Sequence, residues 1–383
     1  MVKHTWVIFF SLSPLGLKKH YMATNPTYDI DFIDRLMNRP SEAASHLDLT
    51  YVSRKNLSIL RVKKGKKFSY LLHKKPLKKK SELKRISALV IPPAWEDVKI
   101  SSISNAHLQA IGYDLKSRLQ YKYHPTWVKV RNRTKFYKMR HFGETLPKIR
   151  ERMEKDLSLN GWPKNKVMAL ILKLMEETHI RIGSEQYAKR NKTYGLSTLR
   201  RKHIKFYKEK LRFEFTGKKG KKHKITLNNK RLQKLVSKCE EIPGWELFQF
   251  FEKDGTKTSV DSGMVNDYIH EISGHLFTAK DFRTWAGTVI FYETLIDLPK
   301  TTNSKEIKRN ILTAFDQAAK ELGNTRNVCR KYYVHPLVVK KYEQGCLNLK
   351  IKESKSQNIA TDLTNTEKQI LKLIQEYKPL NNL

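Results

Sequence analysis

Four short segments of this chain gather residue types suited to one kind of chemistry. Met175 to Gly183 reads MEETHIRIG, Phe215 to Lys222 reads FTGKKGKK, Phe277 to Thr288 reads FTAKDFRTWAGT, and Leu322 to Pro336 reads LGNTRNVCRKYYVHP. Together they offer arginines, lysines and a pair of adjacent tyrosines. A phenol attacking a phosphodiester creates a transition state whose negative charge spreads over nonbridging oxygens, and fixed cations around it lower the barrier. Arginine suits the clamp, because its planar fork donates two parallel hydrogen bonds to phosphate and stays charged at any working pH. A lysine can release its proton, so one standing beside the departing oxygen can act as general acid where an arginine cannot.

Other chemistries lack their signatures. The chain contains no GxGxxG, no GxxxxGK(S/T), no HExxH and no GxSxG, and the run GKKGKK from Gly217 to Lys222 is not a phosphate loop. Its three cysteines, Cys239, Cys329 and Cys346, form no CxxC pair, which suits a reducing compartment and argues against structural zinc. No metal site and no cofactor are expected.

The charge balance names the partner class. Lys and Arg number 76 against 37 Asp and Glu, a formal charge of +39, which suits a polyanion such as nucleic acid. A basic membrane-surface protein would normally add a long apolar span or anchor. The strongest apolar stretch, Trp6 to Phe10, falls far short of the roughly 20 residues a membrane helix needs. Those first residues superficially resemble a short signal peptide, but a start at Met22 is the better expectation for a basic protein acting on nucleic acid.

The elements that must carry the four segments can be read from periodicity. From Thr50 to His124 short runs alternate apolar and polar, as in SILRVKKGKKFSYLL (Ser58 to Leu72), where Gly65 sits between two strand-like arms. HLQAIGYDLKSRLQYKYH (His107 to His124) predicts a second hairpin, with Gly112 and Asp114 between its arms. The charged run from His73 to Arg85 between them reads as a solvated loop, or as a phosphate contact. After about Arg133 helical spacing takes over. Lys166 to Ile180 predicts a fully buried helix, and further helices are expected at about Lys230 to Glu241, Gly263 to Ser273, Ala279 to Thr294, Lys305 to Leu322 and Asn365 to Tyr377. Ile204 to Leu227 returns to alternation as a small sheet whose turn holds Lys218 to Lys222. The expected fold is α+β: an extension over 1–21, a β-rich DNA-binding domain over 22–132, and a mostly helical domain with a small sheet over 133–383.

In this order the four segments closely resemble the type IB DNA topoisomerases of the short bacterial and poxvirus kind. The resemblance extends upstream through IPPAWEDVKIS (Ile91 to Ser101) and LQYKYH (Leu119 to His124), and covers roughly Pro92 to Pro336. It implies a catalytic domain of the tyrosine recombinase and topoisomerase IB type. It also implies that Tyr333 is the nucleophile, Arg181 and Arg283 clamp the phosphate, and Lys218 protonates the leaving 5′ hydroxyl. Where poxvirus relatives carry histidine after the glycine of the last segment, this chain has Asn324, as in the bacterial branch, and an amide can still donate to phosphate. Lys280 resembles a further basic contact near the scissile phosphate. The resemblance also suggests groove contacts for Tyr121 and Tyr123, with Arg118 and Gln120 nearby.

The implied reaction is relaxation of supercoils of either sign through a 3′ phosphotyrosyl intermediate, without ATP or metal, by a monomer on double-stranded DNA in the cytoplasm, at the nucleoid. Residue spacing alone leaves plainer readings open. Arg181 could pair with Glu177 one helical turn earlier. Lys218 is not separable by position from Lys219, Lys221 or Lys222, and either Tyr332 or Tyr333 could be a core aromatic. Alternation puts Tyr121 and Tyr123 on one strand face, where core packing is ordinary. Two rival functions share part of the pattern. A tyrosine recombinase has the same chemistry but usually a helical DNA-binding domain, and a non-catalytic DNA-packaging protein would explain the charge alone.

Overall fold

The computed structural model describes residue 35 and residues 39–65, 67–115, 117–207, 210–274, 277–347 and 360–377. The expectations for residues 1–21 and for a start at Met22 lie outside these. After a short helix α1 (Pro40–Ser45), the chain builds one six-stranded antiparallel sheet from β1 (Ile59–Lys64), β2 (Lys67–Leu72), β3 (Lys75–Pro76), β4 (Glu96–Ile100), β5 (Leu108–Tyr113) and β6 (Leu119–Tyr123), in the spatial order β3-β2-β1-β4-β5-β6. The first hairpin has the expected form, with Ile59 opposite Leu72, Lys64 opposite Lys67, and Gly65 left-handed at φ 59° in the turn.

Two expectations about this region change. Gly112 lies inside β5 rather than in a turn, paired with Gln120, and a Cβ there would meet the Val98 and Trp95 side chains at 2.9 and 3.0 Å. The charged run from His73 to Arg85 is not all loop, because it forms β3 and the first turns of α2 (Lys80–Ala88). Arg85 explains the anchoring: its guanidinium donates to Gln109 Oε1 at 2.8 Å and to the Ser101 carbonyl at 2.6 Å while pairing with Glu82 at 2.9 Å. Ile86 of the same helix buries its side chain with Ile59, Val98, Ile100 and Ala110 of the sheet.

Helix α3 (Pro125–Leu157) joins the sheet to the rest and begins before the expected change of period at Arg133. Pro125 stands at its first turn, where a missing N–H costs nothing, and His124 Nδ1 accepts from the Thr126 N–H. One end of α3 packs Trp127 and Val130 against Ala43, Ala44 and Leu49, while Phe136 to Leu157 line the main core. A single helix therefore belongs to both cores. The long charged sequence of α3 hides it from a search for apolar stripes.

The main core is helical. Nine residues of α4 (Lys164–Thr178) are buried, as its dense Leu, Ile and Met demand. After α5 (Glu185–Asn191) comes the expected small sheet, β7 (Ile204–Tyr207), β8 (Lys210–Thr216) and β9 (Lys222–Leu227), antiparallel throughout. Then follow α6 (Lys230–Glu241), the hairpin β10 (Gln249–Phe251) and β11 (Lys257–Ser259), α7 (Ser262–Ser273), α8 (Ala279–Asp297), α9 (Ser304–Glu321), α10 (Arg326–Tyr332), α11 (Pro336–Glu343) and α12 (Asn365–Ile374). The observed architecture is α+β, an antiparallel sheet followed by a mostly helical body with small sheets.

A buried ionic node fastens α12 to this body. Glu367 is 4% exposed and accepts two hydrogen bonds from Arg150 of α3, both 2.9 Å, and one from Trp285 Nε1 of α8 at 2.8 Å. Burial alone would raise the Glu367 carboxyl, but the Arg150 hydrogen bonds and charge outweigh it and hold the carboxyl below the usual range. A lowered folded-state value means this contribution is full above the ordinary glutamate range and is lost as pH falls through the lowered value. Glu367→Ala leaves the Trp285 N–H without its acceptor and is expected to cost about 3 kcal/mol at neutral pH, with a smaller difference from the parent at acid pH. Urea unfolding at both pH values measures this, and a neutral-pH loss below about 1 kcal/mol would show that Glu176, the other partner of Arg150, suffices.

Candidate active site

Three of the four chemistry-bearing segments meet at the guanidinium of Arg283, and the fourth, Phe215 to Lys222, lines a cleft with the turns that this arginine holds. This residue sits in the second turn of α8 and is 4% exposed. Helix α8 is set by a capping box, in which Asp281 accepts from the Thr278 N–H at 2.8 Å, and by a buried ion pair between Asp281 and Lys138 of α3 at 2.7 Å. Arg283 Nη2 donates to the Leu322 carbonyl at 2.8 Å and Nη1 donates to the His179 carbonyl. One side chain therefore ties the turn that precedes Arg181 to the turn that precedes Asn324.

Those two turns also meet directly, because Arg181 donates to Asn324 Oδ1. Among the described residues the Arg181 guanidinium turns to Asn324 rather than to Glu177, and its backbone carbonyl accepts from the Leu196 N–H at 2.8 Å. Asn324 Nδ2 is buried and has no hydrogen-bond acceptor among the described residues. Arg283 uses two of its five N–H donors on carbonyls, and its Nε is buried without a partner. Burial first, and then the nearby charge of Arg181, push the Arg283 guanidinium down from its ordinary value, against the Tyr333 phenol, which acts the other way. Two like charges held close with donors to spare form a site of positive potential, complementary to a phosphate.

Tyr333 follows the last residue of α10, and its ring lies 5.5 Å from the Arg283 guanidinium. Its neighbour Tyr332 takes a different environment, with the Lys135 ammonium of α3 4.6 Å from its ring. Lys135 also donates to the Lys331 carbonyl at 2.9 Å, and burial followed by repulsion from Lys280 and Lys331 lowers its ammonium to about 7. The backbone at Tyr333 is pinned from α8: its carbonyl is 3.1 Å from Thr288 Oγ1, which accepts from the His335 N–H at 3.0 Å. Gly287 allows this approach, since a Cβ there would stand 3.0 Å from the Tyr333 Cβ and 3.1 Å from its carbonyl oxygen.

Lys218 is exposed in the turn after β8 and lines a small cleft with His179, Arg181, His223 and Leu322. Lys219, in the left-handed region at φ 64°, and Lys221 do not line that cleft. Lys280 is exposed in the first turn of α8. The remaining expected residues stand apart, Gln120, Tyr121 and Tyr123 on the edge strand β6 of the large sheet and Arg118 just before it. Tyr121 and Tyr123 share a face with rings stacked at 5.9 Å, as alternation requires, and both pack on the core beneath. Arg118 and Gln120 both turn to Asp114, with Arg118 Nε at 2.8 Å and Gln120 Nε2 at 3.0 Å.

Sequence reasoning missed several contributors. The carbonyls of His179 and Leu322 carry no side-chain signature at all. Lys135 and Lys138 were hidden in α3, and Thr288 and Gly287 stood inside the FTAKDFRTWAGT segment without an assigned part. His223 had a signal: alternation along β9 puts it on the inward face with Ile225 and Leu227, where a polar residue needs a reason.

Comparison with known proteins identifies the family. Residues 124–362 match the family described as eukaryotic DNA topoisomerase I, catalytic core, and residues 67–114 match the bacterial DNA topoisomerase IB N-terminal domain. A DNA topoisomerase 1B of Acanthamoeba polyphaga mimivirus is 34% identical over 296 residues, spanning 75% of this chain and 88% of the viral protein. The DNA topoisomerase 1B of Vaccinia virus (strain Western Reserve) is 24% identical over 248 residues, spanning 64% of this chain and 74% of the relative. No helix among the described residues is long and apolar enough to cross a membrane. An antiparallel sheet of the bacterial IB type, leading through one helix into a catalytic core matched over most of its length, makes this chain a member of the type IB DNA topoisomerases, enzymes that act on DNA to relax it.

Proposed function

We propose that this chain relaxes positive and negative supercoils through a transient single-strand break in which Tyr333 holds the 3′ phosphate. The observation that carries this reading is the Tyr333 ring against the buried Arg283 guanidinium, with Arg181 and Asn324 on the adjoining turns. The Tyr333 hydroxyl oxygen attacks phosphorus and releases its proton to water while the bond from phosphorus to the 5′ oxygen breaks. Lys218 gives its proton to that departing oxygen. The free N–H groups of Arg181, Arg283 and Asn324 receive the nonbridging oxygens as their charge grows.

The phosphodiester is exchanged for a phosphotyrosyl ester of similar energy, so resealing by the returning 5′ hydroxyl needs no nucleotide. The paired arginines supply the positive charge that phosphoryl-transfer enzymes of other classes take from metal ions. The sheet and the helical body, joined by α3, clasp the duplex while the free end swivels, with Lys280 near the broken phosphate and β6 offering Tyr121, Tyr123, Arg118 and Gln120 to the DNA. For Arg118 and Gln120 this requires leaving Asp114 or contacting DNA with their remaining donors.

Tyr333→Phe is expected to abolish relaxation of supercoiled plasmid in EDTA and to leave no covalent protein–DNA adduct after denaturation, with DNA binding nearly unchanged. Tyr332→Phe keeps the adduct, and an adduct retained by the Tyr333 variant would sink the assignment. Arg181→Ala and Arg283→Ala should each slow single-turnover cleavage by about 10²-fold or more. Lys218→Ala should lose about 10²-fold on an ordinary duplex and recover most of it when sulfur replaces the bridging 5′ oxygen, since a thiolate leaves without a proton.

A further inference from the structure

The imidazole of His223 occupies a place that the reaction as described does not use. It lies on β9 directly opposite Phe215 of β8, and the two rings stack at 5.0 Å and 15°. Its far edge meets two glycines from different parts of the chain. A Cβ on Gly217 would stand 2.7 Å from His223 Cδ2 and Nε2, and a Cβ on Gly323 would stand 2.7 Å from His223 Cε1. Gly217 immediately precedes Lys218, and Gly323 immediately precedes Asn324. The same imidazole lines the cleft that holds Arg181 and Lys218. Both positions admit the ring because neither carries a Cβ.

We propose that His223 is a positioning residue, a flat spacer that fixes the gap between the lysine turn and the Leu322–Asn324 turn and so delivers the Lys218 ammonium to the departing 5′ oxygen. This rests on the reading of Lys218 as general acid. The lysine turn has little else to hold it: Lys218, Lys219 and Gly220 are exposed, and the turn closes on itself through the Gly217 N–H to the Lys221 carbonyl at 2.7 Å and the Gly220 N–H to the Gly217 carbonyl at 3.0 Å. A flexible lysine on a flexible turn would spend most of its time away from the reacting oxygen. Misplacement by about 1 Å is enough to cost on the order of 10²-fold in rate. Burial, followed by the charges of Arg181, Lys221 and Arg283, lowers the His223 imidazole to about 4, so the spacer adds no charge to the clamp at neutral pH.

The test uses the full chain in single-turnover cleavage at a mapped position of a duplex, with oxygen or sulfur at the bridging 5′ position. His223→Ala should cleave the oxygen substrate about 10²-fold more slowly while binding DNA as the parent does, and the sulfur substrate should bring it within about fivefold of the parent. His223→Phe, which keeps a flat ring on Phe215, should stay within about fivefold of the parent on both substrates. Lys218→Ala is the reference for the reading beneath. If Lys218→Ala is rescued by sulfur and His223→Ala is not, His223 does not act through Lys218 and the proposal fails alone. If Lys218→Ala is not rescued, the acid lies elsewhere and both readings fail. A His223→Ala rate equal to the parent, or a His223→Phe variant as slow as His223→Ala on oxygen, also overturns the spacer. Thermal melting of each variant identifies any loss due to unfolding, and His223→Phe then decides the outcome.

Discussion

A guanidinium enclosed by protein must find hydrogen-bond acceptors or exact a desolvation cost that folding cannot absorb. Arg283 meets this demand with the carbonyls of His179 and Leu322, and the rest of the candidate active site depends on that choice. Because its acceptors are backbone atoms of two different turns, the arginine fixes the main chain just before Arg181 and just before Asn324. Because it sits on α8, one helical turn from Gly287 and Thr288, the same helix also fixes the backbone of Tyr333. Removing the side chain would release both turns at once. The acceptors are neutral carbonyls rather than carboxylates, so the positive charge is held in place without being cancelled.

That uncancelled charge links the local site to the composition of the whole chain. With +39 overall, the folded protein bears self-repulsion that a polyanion relieves. Where carboxylates do enter the interior, they stand away from the cleft and serve the frame: Asp281 pairs with Lys138, and Glu367 with Arg150. Both pairs join α3 to elements that position Arg283, the first through the start of α8 and the second through Trp285. Among the described residues the cleft around Arg181 and Lys218 is lined by one carboxylate, the exposed Glu321, while Asp281 and Glu367 belong to the frame.

Helix α3 gives the architecture its mechanical logic. Its first turns pack with the sheet region and its remainder with the helical core, so there is no loop between the two at residue 133. Lys135, near the junction, reaches the Lys331 carbonyl and the Tyr332 ring at the end of α10. The rod that enters from the sheet thus touches the helix that presents Tyr333. Helix α12 lies beyond the stretch matched to the family's catalytic core, yet it supplies the Glu367 carboxylate that Trp285 requires.

Composition and the order of a few short segments suffice for the class of chemistry and the kinds of element. Charge balance pointed to nucleic acid, and the order of four short segments pointed to a family whose membership the comparisons establish. Periodicity found the small sheet, the first hairpin, the buried helix α4 and α6 with its bounds, because each buries one face or all faces and repeats accordingly. It missed the long α3, whose polar surroundings blur the stripe, and the short α10 and α11, which have too few turns to show one. Position along the chain could not separate Tyr332 from Tyr333, or Lys218 from its neighbouring lysines, since adjacent residues share one local sequence. Their difference lies in what each side chain meets across the fold: Arg283 for Tyr333, Lys135 for Tyr332, and the Arg181 cleft for Lys218. Such contacts join residues far apart in sequence, and carbonyl acceptors and missing β-carbons have no side-chain signature, so only the tertiary structure could decide them.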